Sequence, residues 1–137
     1  MAEPHPQVVD PQHPLVVWVR GVCMGYPEAA EVEAWGRPTF RAGKKIFVLV
    51  GASMDDSLTI VFKPGSADER LAYLERPGFY APPYWGPGGW LAAPLSAGVS
   101  REELAEIIDT SYRQVALVRQ VKALDSAVGP GRGERLV

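Results

Sequence analysis

The sequence is short of the residues on which most catalysis, metal binding and cross-linking depend. Its 137 residues hold one cysteine, Cys23, and two histidines, His5 and His13. A single thiol excludes an intramolecular disulfide and points to a reducing compartment. Both histidines lie in or beside the N-terminal stretch, which leaves no Ser-His or Cys-His pair inside the fold. HExxH, CxxC and Walker loops are missing. No apolar run exceeds the five residues of Leu15–Val19 and Ile46–Val50, against the roughly 20 that a membrane span requires. Met1 to Pro14 has neither a basic n-region nor an apolar h-region, so no signal peptide and no membrane partner are expected, and the expected location is the cytoplasm.

Charge of one sign is also lacking. Fourteen basic and 16 acidic residues give a net charge of −2, which argues against nucleic-acid binding by bulk attraction. The distribution says more. Between Glu33 and Asp55 there is no acid, while Arg37, Arg41, Lys44 and Lys45 fall within that stretch.

What is present is an ordinary globular composition, 47% hydrophobic and 22% charged. A chain of this length forms one domain and buries roughly two-thirds of its unfolded surface, without needing staples. The domain is expected over residues 11–125, between flexible tails at 1–10 and 126–137.

Asp10-Pro11 has the form of a helix start, and Leu15, Trp18, Val19, Val22 and Cys23 follow the spacing of one helical face. Val16 and Val17 keep a strand open as the competing reading. Gly25-Tyr26-Pro27 ends the element. Residues 30–42 predict one bent strand interrupted at Gly36 and Pro38. Gly43-Lys44 then turns the chain into Lys45–Gly51, and Ser57–Lys63 makes the next strand of an antiparallel meander. Ser66 with Glu69 predicts a capped helix to about Glu75, with Leu71 and Leu74 on its buried side. After the aromatic, Pro- and Gly-rich stretch Phe79–Trp90, a strand is expected at Trp90–Leu95. Ser100 and Glu103 open a last helix, with Leu104, Ile107, Ile108, Val115, Val118 and Val121 at helical spacing. These elements predict an α+β fold, an antiparallel sheet with helices on one face in the order α-β(3)-α-β(2)-α.

Several local motifs, taken in this order, resemble the MmcQ/YjbR family of small bacterial proteins. They are Gly25-Tyr26-Pro27-Glu28, Trp35-Gly36-Arg37-Pro38-Thr39-Phe40, Gly43-Lys44-Lys45-Ile46-Phe47, and Pro82-Pro83-Tyr84 through Gly89-Trp90. Ser111-Tyr112 in the final helix completes the set. The resemblance covers about Asp10 to Leu124 and implies a CyaY-like fold of the same element order. It also implies DNA binding, by likeness of paired hairpins to a double-wing motif, and carries over no catalytic residue.

Two constellations are candidates for function. Arg37, Arg41, Lys44 and Lys45 are placed to meet the phosphates of DNA, with a slope of log K against log salt of about −3.6 if all four do. On one strand, alternation puts Arg37, Thr39 and Arg41 on one face and Phe40 on the other. The bland alternative is a solvated hairpin whose lysines blunt a sheet edge. Tyr80, Tyr84, Trp85 and Trp90 form the second candidate, a cleft for a small ligand or a protein, with Trp85 expected to be exposed. Against it stands a rigid loop whose aromatics close one end of the core. A homodimer is a third arrangement. Asp55-Asp56 is read as a turn, Cys23 as a small buried hydrophobe, and Gly86–Gly89 as lacking what a phosphate loop needs. The expectation is a non-enzymatic binding module with no metal and no cofactor.

Overall fold

The computed structural model describes residues 7–95 and 98–136, with side chains to residue 127. His5 and most of the expected N-terminal tail lie outside the described residues.

The first element is a helix, and it starts one turn later than Asp10-Pro11 suggests. Asp10 instead makes a turn, its carboxylate accepting the Gln12 N–H at 2.9 Å and its carbonyl the His13 N–H at 3.1 Å. His13 Nδ1 then caps the helix by accepting the Leu15 N–H at 3.1 Å, with Pro14 in the first position. Helix α1 spans Pro14–Cys23 and buries Val16, Val19 and Cys23, while Leu15, Trp18 and Val22 pack half-buried beside them. Residues 7–10, expected in the tail, are held down: the Val8 N–H donates to the Gly36 carbonyl at 2.8 Å, and Val9 is buried in the core.

Residues 30–42 form a hairpin, not one bent strand. Strand β1 (Ala29–Ala34) pairs antiparallel with β2 (Arg37–Ala42), and Ala34 faces Arg37 across a two-residue turn. Trp35 and Gly36 both hold positive φ, 56° and 77°, the pattern of a type I′ turn. The bulky Trp35 disguises a turn that Asn-Gly would have announced. Gly43-Lys44 makes the next two-residue turn, with Gly43 alone at positive φ, into β3 (Lys45–Val50). Strands β4 (Thr59–Phe62) and β5 (Leu91–Pro94) complete a five-stranded antiparallel sheet in simple sequential order. Four strands therefore precede helix α2 (Ala67–Leu74) and one follows it.

Alternate residues of a strand face opposite ways, so the register divides the sheet into two faces. Phe40, Val48, Val50, Ile60, Phe62, Leu91 and Ala93 share one core with the buried side chains of the helices. A register shift between Phe40 and Arg41 lets Phe47 join Val48 on that face. There Phe47 meets Tyr112 edge-on at 5.1 Å, and Tyr26 lies 4.7 Å from Tyr112. Thr39, Leu49, Val61 and Ala92 are cross-strand partners on the opposite face. They are buried but stand outside the helix-side core. This second face carries no described helix.

Ser66 caps α2 as expected, accepting the Glu69 N–H at 3.1 Å, and the Glu69 carboxylate accepts the Gly65 N–H at 3.0 Å. Its buried side is different, because Leu71 is 60% exposed. Tyr73 and Leu74 pack inward instead, Tyr73 stacking on Phe79 at 5.1 Å. Beyond the helix, Arg76 lies over Phe79 at 4.8 Å and holds the Glu103 carboxylate with both terminal nitrogens.

The last helix is two helices, and the expected frayed tail is helical. Helix α3 (Arg101–Val115) is capped by Ser100 Oγ and buries Leu104, Ile107, Ile108, Ser111 and Tyr112. Ala116 leaves helical geometry at ψ 156°, and the Gln120 side-chain carbonyl accepts the Leu117 N–H at 2.8 Å to start α4 (Val118–Leu136). Val118, expected inside, is 72% exposed, while Gln120 and Leu124 are buried.

The Arg76–Glu103 pair links the end of α2 to the start of α3, and it sets an expected pH dependence. Its guanidinium holds the Glu103 carboxyl below the ordinary value of 4.5, through the hydrogen bonds first. A depressed carboxyl stabilises fully above its unfolded value, and the contribution is lost as pH falls through the lower folded value. Urea unfolding should therefore find wild type more stable than Glu103→Gln at pH 7, with the gap closing below about pH 4. A gap independent of pH would remove this role.

Candidate functional site

Strand alternation places Arg37 and Arg41 on the helix-free face and Phe40 in the core, as the sequence predicts. Arg37 donates to the Trp35 carbonyl at 3.2 Å and to the Gly51 carbonyl at 2.6 Å. Burial alone lowers its pKa. Arg41 Nε donates to Thr39 Oγ1 at 3.2 Å, and that hydroxyl donates in turn to the Val32 carbonyl at 2.5 Å. Lys44 and Lys45 are exposed at the end of the hairpin. The four cations thus divide: Arg37 and Arg41 stand on the face, Lys44 lies in the turn at its end, and Lys45, paired with Ala42, falls on the helix side of that end.

The register adds a cation that sequence spacing does not single out. Lys63 follows Val61 by two residues and so belongs to the helix-free face, next to Trp90 across the β4–β5 pair. Its Nζ lies 6.0 Å from the Trp90 ring centre and donates to the Gly88 carbonyl. Arg41 and Lys63 stand on strands two apart, roughly 10 Å, and Arg37 lies about 13 Å along β2 from Arg41.

The pairing of these cations sets them apart from four arginines elsewhere. Arg20, Arg76 and Arg119 are each raised in pKa first by hydrogen bonds to Glu31, Glu103 and Glu28. Arg113 is held by Asp109 and Asp125. Among the described residues no carboxylate forms an ion pair with Arg37, Arg41, Lys44, Lys45 or Lys63. Arg37, Arg41 and Lys63 bond instead to carbonyls and one hydroxyl, which leave the positive charge uncompensated. Among the described residues Arg70, Arg101 and Lys122 also form no ion pair with a carboxylate, but they sit on three different helices.

Both turns that border the face are fastened to the body. The Gly43 N–H donates to the Glu28 carbonyl at 2.9 Å, and a Cβ on Gly43 would stand 3.3 Å from Gln120 Nε2. Glu28 is itself gripped by Arg119 and Gln120. At the other end the Gly36 carbonyl accepts from Val8, and the Trp35 carbonyl from Arg37.

The aromatic loop separates into anchored rings and one ring open to solvent. Tyr80 exchanges two backbone bonds with Ala92, and its hydroxyl donates to Asp56 Oδ2 at 2.6 Å. Burial and that bond push its pKa up. Trp85, expected to be exposed, packs edge-on against Trp90 at 5.2 Å. The exposed ring is Tyr84, 97% accessible and at a positive φ of 67°. Trp35, 46% exposed, is the other large aromatic facing solvent.

Asp56 faces Tyr80 across the loop, and among the described residues no cluster of three His, Cys, Asp or Glu is placed to hold a metal. Cys23 is fully buried, and burial pushes its thiol well up. No described helix is long and apolar enough to cross a membrane.

A model of the YjbR family matches residues 24–114. Among solved structures, the crystal structure of Deinococcus radiodurans protein DR2400, described with the family-model domain DUF419, superposes with a TM-score of 0.58 at 22% identity. That match covers 74% of this chain and 79% of the other, and at this identity it speaks for the fold alone. No curated protein matches the chain.

Proposed function

The chain belongs to the YjbR family, and we propose that it is a non-enzymatic module that binds nucleic acid by its phosphates. The observation that carries this reading is the set of five cations on and beside one sheet face, none of them paired with a carboxylate among the described residues. Uncompensated arginine and lysine side chains held by neutral acceptors are preorganised for an anion and lose no internal salt bridge when it arrives. Phosphate contacts of this kind position a chain without reading its sequence.

Fluorescence anisotropy of a labelled oligonucleotide, titrated across salt concentrations, tests the proposal. Five contacts give an expected slope of log K against log salt of about −3.5 for a single strand and about −4.5 for a duplex. No binding at micromolar protein and low salt, or a slope near zero, would remove it.

The exposed Tyr84 supports a second reading, in which this ring anchors a protein partner. A homodimer through the free edge of β1 is disfavoured. Antiparallel self-pairing about Val32 would set Glu31 opposite Glu33 of the second copy, like charge against like.

A further inference from the structure

We infer that the ligand of the helix-free face is a single-stranded polynucleotide, not a duplex. The inference rests on the nucleic-acid reading of the same face and concerns the state of the strand. Proteins that read a duplex through its major groove insert a helix or a two-stranded ribbon. Neither is on offer here. All described helices that contribute to the core lie on the opposite side of the sheet. The two hairpin turns that would serve as wings are short and bonded down, Gly43 to Glu28 and Gly36 to Val8. A projecting wing needs a free tip.

What the face does offer is a set of longer side chains standing around strand residues that are themselves buried, Thr39, Val61 and Ala92 at 0% and Leu49 at 1% exposure. Cations stand on β2 and β4, and large aromatics stand at its margins. Trp35 lies at the β1–β2 turn, and the Trp90, Trp85 and Tyr84 group lies beyond β5 at the diagonally opposite corner. Single-strand binders combine these same two elements, a positive track for the backbone and rings on which unpaired bases stack. Bases inside a duplex are already stacked on one another and cannot use the rings. Two of the rings, Trp35 and Tyr84, are also held at positive φ, a conformation costly for any residue but glycine. The structure keeps them exposed at that cost.

The test compares three labelled probes at low salt, oligo-dT, oligo-U and a blunt DNA duplex. Each is about 12 nucleotides or base pairs, within the roughly 4–16 nucleotide sites of such binders. Wild type is expected to bind both single strands about tenfold tighter than the duplex, equivalent to one stacked base. Trp35→Ala/Tyr84→Ala should weaken single-strand binding about tenfold and leave duplex binding unchanged, while Arg41→Glu weakens all three. Oligo-dT and oligo-U should agree within about threefold, because rings and phosphate contacts do not read the 2′-hydroxyl. A larger gap between them would name RNA or DNA as the source. Duplex binding equal to or tighter than single-strand binding, still sensitive to Arg41→Glu, overturns the inference and leaves the nucleic-acid reading standing. Failure of all three probes overturns both.

Discussion

Reversing Arg41 and Lys63 together to glutamate should weaken nucleic-acid binding more than a hundredfold and leave the fold intact. A hydrogen bond to a charged group contributes about 1.5–3 kcal/mol. Removing both phosphate bonds therefore costs about 3 kcal/mol, and each 1.4 kcal/mol is a tenfold change in affinity. Repulsion between the new carboxylates and the phosphates acts in the same direction. Stability should change little. Arg41 has one bond, to Thr39, and Lys63 one side-chain bond, to Gly88, and both side chains are partly exposed. Lys122→Glu is the matched control. It changes charge by the same amount per residue on α4, away from the helix-free face, and should leave affinity nearly unaltered. A loss from Lys122→Glu half as large, in log affinity, as that from the double reversal would mean that only net charge matters.

The largest stability effect is expected at Tyr112. The ring is fully buried between Tyr26 and Phe47, and its hydroxyl donates to the Pro27 carbonyl at 2.7 Å. One side chain thus ties α3 to the bulge in β3 and to the segment that leaves α1. Removing a large buried aromatic costs about 4 kcal/mol, a large part of the roughly 5–15 kcal/mol that holds a domain together. Tyr112→Phe keeps the packing and forfeits mainly the hydrogen bond, about 1 kcal/mol. Urea unfolding should give Tyr112→Ala a much lower midpoint than Tyr112→Phe. Similar midpoints would mean that the hydroxyl, not the ring, carries the contribution.

Much of the fold is legible in the sequence because its signals are local. Ser66 and Ser100 each cap a helix at the positions their sequence predicts, since the cap oxygen and the N–H it accepts lie three residues apart. The apolar strands 45–50 and 59–62 stand out because both their faces are buried. Sequence and structure part where the decisive partner is distant or unusual. Trp35 is a poor advertisement for a type I′ turn. The break between α3 and α4 has neither glycine nor proline, and depends on Gln120 turning its side chain back to Leu117. Spacing alone turns Leu71 inward, but Tyr73 and Phe79 stack and decide which side of α2 is buried.

The candidate site is half legible. Alternation along β2 is enough to put Arg37 and Arg41 on one face and Phe40 on the other. Lys63 cannot be found that way, because its membership of that face follows from Val61 pairing with Leu49 and Leu49 with Thr39. Trp90 comes beside it only through the pairing of β4 with β5, strands separated by α2 and the whole aromatic loop. Nor does a sequence reveal which arginines are already paired. Arg119 and Arg113 look as available as Arg41, until Glu28, Asp109 and Asp125 come to them in the fold. The same pairing explains why the hairpin cations do not join Arg113 and Arg119 in one uncompensated patch.

Titrating an oligonucleotide into isotopically labelled protein, and following each backbone amide by NMR, is the most direct check that the unpaired cations form the binding surface. Shift changes should gather on Arg37, Arg41, Lys63, Trp90 and Tyr84, with helix α1 and the outer side of α4 quiet. Changes concentrated on those helices, or none at saturating oligonucleotide, would contradict it.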